Sequence, residues 1–97
     1  MSLQNLLGIE LPILQAPMAG VQDSALAIAV SNAGGLGALP CAMLDANAVC
    51  KQVEILRAGT SRPFNLNFFS HTPPVPDEDK AQAWRALFAG YYAEFGL

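Results

Sequence analysis

One pattern occurs three times along the chain: a short apolar segment, then a polar or glycine-rich loop, then a helical segment. The apolar segments are Pro12–Ala16, Leu36–Leu39 and Phe64–Phe69. Strands that alternate with helices pair in parallel, because each helix carries the chain back to the start of the next strand. The sequence therefore predicts an α/β fold with a parallel sheet.

Helix boundaries follow from capping residues. Asp23 or Ser24 precedes the alanine-rich segment ALAIAVSNA, and Asp45 precedes a segment with an apolar stripe at helical spacing. Short polar side chains at these positions accept hydrogen bonds from free backbone N–H groups. Gly34 or Gly35 suits the left-handed end of the first helix, and Gly59 ends the second. The first helix is apolar all round, so we expect it to be buried and closely packed.

A third helix is predicted after the proline-rich loop. The acidic run Asp77–Asp79 favours its start, since carboxylates are stabilised at the positive end of the helix dipole. Its apolar face is expected to comprise Trp84, Leu87, Phe88, Tyr91 and Phe95, and Gly96 would end it.

Two architectures fit this alternation, an open doubly wound sheet and a (β/α)8 barrel. A complete barrel takes about 250 residues, whereas this chain has 97. In the barrel interpretation, residues 1–97 are the first three βα units of one domain. Three strands leave open edges and a bare sheet face, which agrees with an apolar content of 53%.

Charge and cysteine content limit the partners. The net charge is −3 and the five basic residues are scattered, which argues against nucleic acid. Residues 24–44 lack charge, but Ser31, Asn32, three glycines and Pro40 interrupt them, so a membrane span is not expected. Cys41 and Cys50 lack CxxC spacing and suit reduced thiols in a cytoplasmic protein.

The glycine cluster SNAGGLGALP raises the question of a phosphate loop. A dinucleotide-binding GxGxxG follows a strand and opens a helix. Here a helix precedes Gly34, Gly35 and Gly37, and a strand follows them. The negative end of a helix dipole repels phosphate. We expect these glycines to end a helix and allow tight packing.

Ligand contacts are expected at the carboxyl ends of the strands, where enzymes of both architectures bind ligands. Met18, after Pro17, is either core filler or a polarisable surface for a flat ring. In the third segment, Phe64, Leu66 and Phe68 would face the helices, and Asn65, Asn67 and Phe69 the opposite side. Asn67, nearer the carboxyl end, is expected to contact a ligand.

Three further side chains are weaker candidates. Asn65 lies deeper than Asn67 and is expected to bond neighbouring backbone. His71, the only histidine, follows the third strand and is more often solvated than functional at such a position. Cys41 could line the pocket but has no activating base near it in sequence.

Three motifs together resemble the N-terminal part of the nitronate monooxygenase family: PILQAPMAGV, LAIAVSNAGGLGALP and RPFNLNFF. The resemblance runs from about Leu7 to Gly96. It implies a TIM-barrel enzyme that binds FMN and oxidises alkyl nitronates with molecular oxygen. It places Ala16, Pro17, Met18 and Asn67 against the flavin. It puts the phosphate site and the catalytic histidine beyond Leu97, so no catalytic or metal-binding residue is expected here.

Two alternatives remain. FMN-dependent NAD(P)H:quinone reductases and enoyl-acyl-carrier-protein reductases are similar in these motifs, although the pair Ala16–Pro17 favours the monooxygenase. A non-catalytic, truncated chain stabilised by self-association, as a homo-oligomer, would also explain the apolar excess. Because the phosphate site is expected elsewhere, we expect the isolated chain to bind FMN only very weakly.

Overall fold

The computed structural model describes all residues 1–97 and shows a small parallel sheet with helices packed on one face. The seven elements, in chain order, are α1 (Leu3–Leu7), α2 (Ser24–Asn32), β1 (Gly37–Pro40), α3 (Ala46–Gly59), β2 (Phe64–Asn67), α4 (Glu78–Leu87) and α5 (Ala89–Phe95).

The strands β1 and β2 pair in parallel, as predicted. Gly37 is opposite Phe64, and Pro40 is opposite Asn67. The first predicted strand, Pro12–Ala16, is wrong as a regular strand, since it pairs with the sheet only at a single parallel bridge between Leu14 and Leu36. Beyond that bridge the backbone leaves β1. The three segments nevertheless lie side by side in parallel, in the order in which they occur along the chain.

Where the first segment leaves β1, side chains supply the hydrogen bonds that a neighbouring strand would make. The amide oxygen of Gln15 accepts the N–H of Ala38 at 3.0 Å, and its amide nitrogen donates to the Ala38 carbonyl at 3.1 Å. Alternate residues of a parallel strand bond to the same neighbour, so the next backbone group on this edge belongs to Pro40. Proline has no N–H to satisfy. Pro40 was predicted to stop the strand, but here it is the last residue of β1.

The capping predictions are confirmed at all three helices. The carboxylates of Asp23, Asp45 and Asp77 accept backbone N–H groups at the starts of α2, α3 and α4. Gly34 takes the left-handed conformation just after α2, with φ of 99°. The short α1, capped by Ser2 and closed by Gly8, is an additional element that the sequence analysis did not predict.

Three other expectations were wrong in part. The predicted C-terminal helix is two helices, α4 and α5, separated at Phe88, whose backbone leaves the helical region. The strand β2 ends at Asn67 rather than Phe69. The helix α2 is buried along one side only, through Ser24, Ala27 and Ser31, because only one sheet face and α3 cover it.

The core lies between the sheet and the helices α2 and α3. Ala27, Leu39, Cys41 and Leu56 form its buried cluster, with Phe64 and Leu66 among the half-buried residues packed against it. The prediction that Phe64 and Leu66 face the helices is therefore confirmed, whereas Phe68 lies beyond the end of β2 and is exposed.

The helices α4 and α5 pack only against each other and extend the molecule to 50 × 30 × 25 Å. Their aromatic side chains, including Trp84, Tyr91 and Phe95, are exposed. None of the helices combines the length and the hydropathy needed to cross a bilayer.

The hydroxyl of Ser31 joins three elements. Ser31 is fully buried in α2, and its oxygen accepts the N–H of Gly37 at 3.1 Å, where β1 starts. The same hydroxyl donates to the carbonyl of Pro63 at 2.8 Å, just before β2. One side chain therefore fixes both strand starts against the helix.

Gly37 allows α2 to approach β1 closely. A Cβ atom at this position would lie 2.1 Å from the carbonyl oxygen of Ala27 and 2.6 Å from the hydroxyl of Ser31. No side chain fits at such distances, so the helix and the strand can touch here only through glycine.

We expect Ser31→Ala to lower the free energy of unfolding by about 1–3 kcal/mol, because it leaves the buried Gly37 N–H without a partner. Urea unfolding followed by far-ultraviolet circular dichroism measures the change. Ser70→Ala, at an exposed position, is the control and should change little. Equal midpoints for the two variants would contradict the bridging role of Ser31.

We expect Gly37→Ala to destabilise the fold by at least about 1–3 kcal/mol, since the new methyl group has no room beside the Ala27 carbonyl. Gly90→Ala is the matched control. Nothing lies within 4 Å of a Cβ there, so alanine inside α5 should be neutral or slightly stabilising. The same urea titration compares them, and equal stability of both variants would refute the close-packing argument.

Candidate functional site

The candidate site is the sheet edge formed by the carboxyl ends of the three parallel segments. The turn Ala16–Met18 follows the first segment, Pro40 ends β1 and Asn67 ends β2. The edge is held in register by the Pro40–Asn67 pair and by the Cys41 N–H, which donates to the Asn67 carbonyl at 2.8 Å. The predicted site residues thus lie at one edge.

Asn67 presents a free carboxamide at this edge. Its backbone is used in the sheet, whereas its half-buried side chain makes no hydrogen bond within the chain. A primary amide can both donate and accept. Asn65, one pleat deeper, is exposed and also makes no side-chain bond, contrary to the expectation that it would bond neighbouring backbone.

The backbone N–H of Met18 is hydrogen-bonded, whereas its side chain is exposed. Its N–H donates to the amide oxygen of Gln22 at 3.0 Å, while its side chain is 46% exposed. Pro17, which has no N–H, is half-buried before it. The turn therefore offers an apolar, polarisable surface without a free backbone donor at Met18.

Two glutamines that sequence reasoning missed hold this turn. Gln22 donates to the Ala38 carbonyl at 2.8 Å and accepts from Gln15 at 2.9 Å. The available signal was the pair of amides, Gln15 and Gln22, flanking the Ala-Pro-Met turn in an otherwise apolar segment.

A cavity of about 80 Å³ lies beside the site rather than in it. Small-molecule pockets usually measure about 300–1,000 Å³, so this cavity is too small for a flat ring system. Met18 and Asn67 do not line it; it is lined by Ala19, Gly20, Gln22, Asp23, Leu39, Pro40, Met43, Leu44 and Gln52. The candidate site is thus an open edge.

The other two weaker candidates, His71 and Cys41, do not join this edge as reactive groups. His71 is exposed, with its ring centroid 5.2 Å from that of Phe69. Cys41 packs in the core and does not line the edge. Burial raises the pKa of the Cys41 thiol, and a backbone hydrogen bond with Asn67 only partly offsets this. Cys41 is therefore a neutral core thiol.

The glycine cluster has no backbone donors left for a phosphate. Gly34 and Gly35 donate to carbonyls of α2, Leu36 to Ile13 and Gly37 to the Ser31 hydroxyl. The cluster lies between α2 and β1, which confirms that it ends a helix and opens a strand. No group of three or more His, Cys, Asp or Glu residues is arranged to hold a metal ion.

Comparison with known proteins gives consistent results. The family model described as nitronate monooxygenase matches residues 1–95. The chain is 45% identical over 95 residues to a nitronate monooxygenase of Paraburkholderia phytofirmans, covering 98% of this chain and 26% of that protein. A nitronate monooxygenase of Pseudomonas aeruginosa is 45% identical over 92 residues, covering 95% and 26%.

Solved structures are similar too. A nitroalkane oxidase from Streptomyces ansochromogenes has a TM-score of 0.79 and 36% identity, covering 98% of this chain and 26% of that one. FabK from Thermotoga maritima has a TM-score of 0.68 and 38% identity, covering 72% and 22%.

The chain spans about a quarter of the length of the relatives that it matches. Its fold is that of part of a TIM barrel, with three parallel segments in chain order and helices on one face. The family match covers nearly the whole chain. The chain belongs to the nitronate monooxygenase family.

Proposed function

We propose that this chain supplies the first part of an FMN site in an enzyme that oxidises alkyl nitronates with molecular oxygen. The family match supports the reaction. The observation that carries the proposal is that the unpaired carboxamide of Asn67 and the exposed side chain of Met18 both lie at the carboxyl ends of the parallel segments. An amide and a polarisable sulfur fit a flat heteroaromatic ring.

The residues at the edge fit the ring of FMN rather than its phosphate. Asn67 can donate to or accept from the polar rim of the ring, and Met18 can lie against its face. Ala16 and Pro17 would shape the turn beside it. The amides of the glycine cluster are already used. Arg62 is paired with Glu10 at 2.5 Å. It precedes β2, so it lies at the opposite end of the strands from the candidate site.

The chemistry that bound FMN supplies is the transfer of electrons between the nitronate and oxygen. The part of these residues is to bind and orient the ring. None of Ala16, Pro17, Met18 and Asn67 titrates, so we assign no proton-moving role within this chain. The nitronate and oxygen are the proposed small-molecule partners.

A second candidate function would use the same candidate site with a different substrate. An FMN-dependent NAD(P)H:quinone or enoyl-acyl-carrier-protein reductase would use Met18 and Asn67 in the same way, because both side chains would contact the ring and not the substrate. The two functions differ in what reduces the flavin.

The test uses a hybrid in which this chain replaces the matching quarter of the P. phytofirmans relative. We expect the purified hybrid to bind FMN and to consume oxygen with propionate-3-nitronate. A folded hybrid that binds no FMN would refute the proposal. Rapid reduction of its FMN by NADH or NADPH, without oxidation of the nitronate, would favour the reductase.

Within that hybrid, we expect Asn67→Ala to weaken FMN binding by about two- to tenfold, the value of one neutral hydrogen bond. Asn65→Ala removes the same amide from the same face of β2, one pleat deeper, and should leave the Kd unchanged. Fluorescence titration measures both. Equal Kd values for the two variants would remove Asn67 from the site.

The isolated chain, which lacks free backbone donors at its glycine cluster, is expected to bind FMN far more weakly than the hybrid. Micromolar FMN titrated with the chain should keep its fluorescence. A stoichiometric complex with the chain alone would contradict this expectation.

A further inference from the structure

The turn Ala16–Gly20 has a single hydrogen-bonded connection to the rest of the chain. After Gln15, whose N–H bonds to Leu36, no backbone hydrogen bond joins the turn to β1. The bond from Val21 to Met18 stays inside the loop. The remaining connection is the Met18 N–H, which donates to Gln22.

Gln22 is itself fixed in one orientation. Its amide oxygen accepts two N–H groups, from Met18 at 3.0 Å and from Gln15 at 2.9 Å, and its nitrogen donates to the Ala38 carbonyl at 2.8 Å. A flipped amide would place its N–H groups against two donors and its oxygen against a carbonyl. The bonds therefore define the distance between the turn and β1.

Gln15 makes the arrangement a network rather than a single bond. Its own amide bonds to both the N–H and the carbonyl of Ala38. The carbonyl of Ala38 thus accepts from both glutamines, and all of these atoms are at least partly buried. Such networks are rigid, because each bond restricts the others.

We propose that Gln22 is a positioning residue for the cofactor: it ties the Ala16–Met18 turn to β1 and so sets where the Met18 side chain meets the flavin ring. This inference rests on the proposed function. The role proposed for Gln22 is indirect. Its effect passes through the backbone of Met18.

The first test needs no cofactor. Gln22→Met keeps the length of the side chain and removes its hydrogen bonds, so the Met18 amide of the full 97-residue chain should exchange with solvent about two- to tenfold faster. Gln52→Met is the matched control, since it removes a bond of the same kind, to the N–H of Ser24 at 3.0 Å. Exchange is measured by NMR.

The second test measures the flavin in the hybrid with the P. phytofirmans relative. We expect Gln22→Met to weaken FMN binding about two- to tenfold and to shift the visible circular dichroism of the bound flavin. Gln52→Met should change neither, even if both variants lose similar stability. A merely structural role for Gln22 would move both variants together.

The outcomes of these experiments distinguish the positioning role of Gln22 from the proposed FMN site. Unchanged Met18 exchange in Gln22→Met overturns the inference. Faster exchange with an unaltered flavin spectrum and Kd overturns its cofactor part. If the unsubstituted hybrid binds no FMN, the proposed function fails, and the exchange comparison still decides whether Gln22 holds the turn.

Discussion

The contact between α2 and the start of β1 is the constraint on which the rest of the structure depends. Because Gly37 has no side chain, the helix reaches the strand closely enough for the Ser31 hydroxyl to bond its first N–H. The same hydroxyl holds Pro63 and so sets where β2 starts. Strand register, and with it the alignment of Pro40 with Asn67 at the candidate site, follows from this contact.

The parts of the fold that local chemistry determines could be predicted from the sequence. Asp23, Asp45 and Asp77 cap helices through bonds to residues two or three positions away, so their neighbours suffice to predict them. The irregular first segment could not be predicted in this way. Its pairing with β1 is taken over by Gln15, across 23 positions of sequence, and hydrophobic alternation carries no information about such a bond.

In the candidate site, too, some residues could be predicted from the sequence and others could not. Alternation along β2 was enough to put Asn67 on the face opposite the core. The turn after the first segment left Met18 open between core filler and ring contact, and only the family resemblance placed it against the flavin. Whether these side chains contact a flavin stays a prediction. The supporting glutamines were missed because an amide near an apolar segment has no distinctive spacing, and only the three-dimensional structure shows its partners.

The separation of α4 and α5 from the sheet has a spectroscopic consequence. The chain has a single tryptophan, Trp84, which stacks on Phe88 with ring centroids 6.0 Å apart. Tyr91 and Tyr92 surround the same phenylalanine. Intrinsic fluorescence therefore reports on the helical pair and is blind to the core around Leu39 and Leu56. Any solution study that follows emission alone would observe the periphery of this molecule rather than its sheet and core.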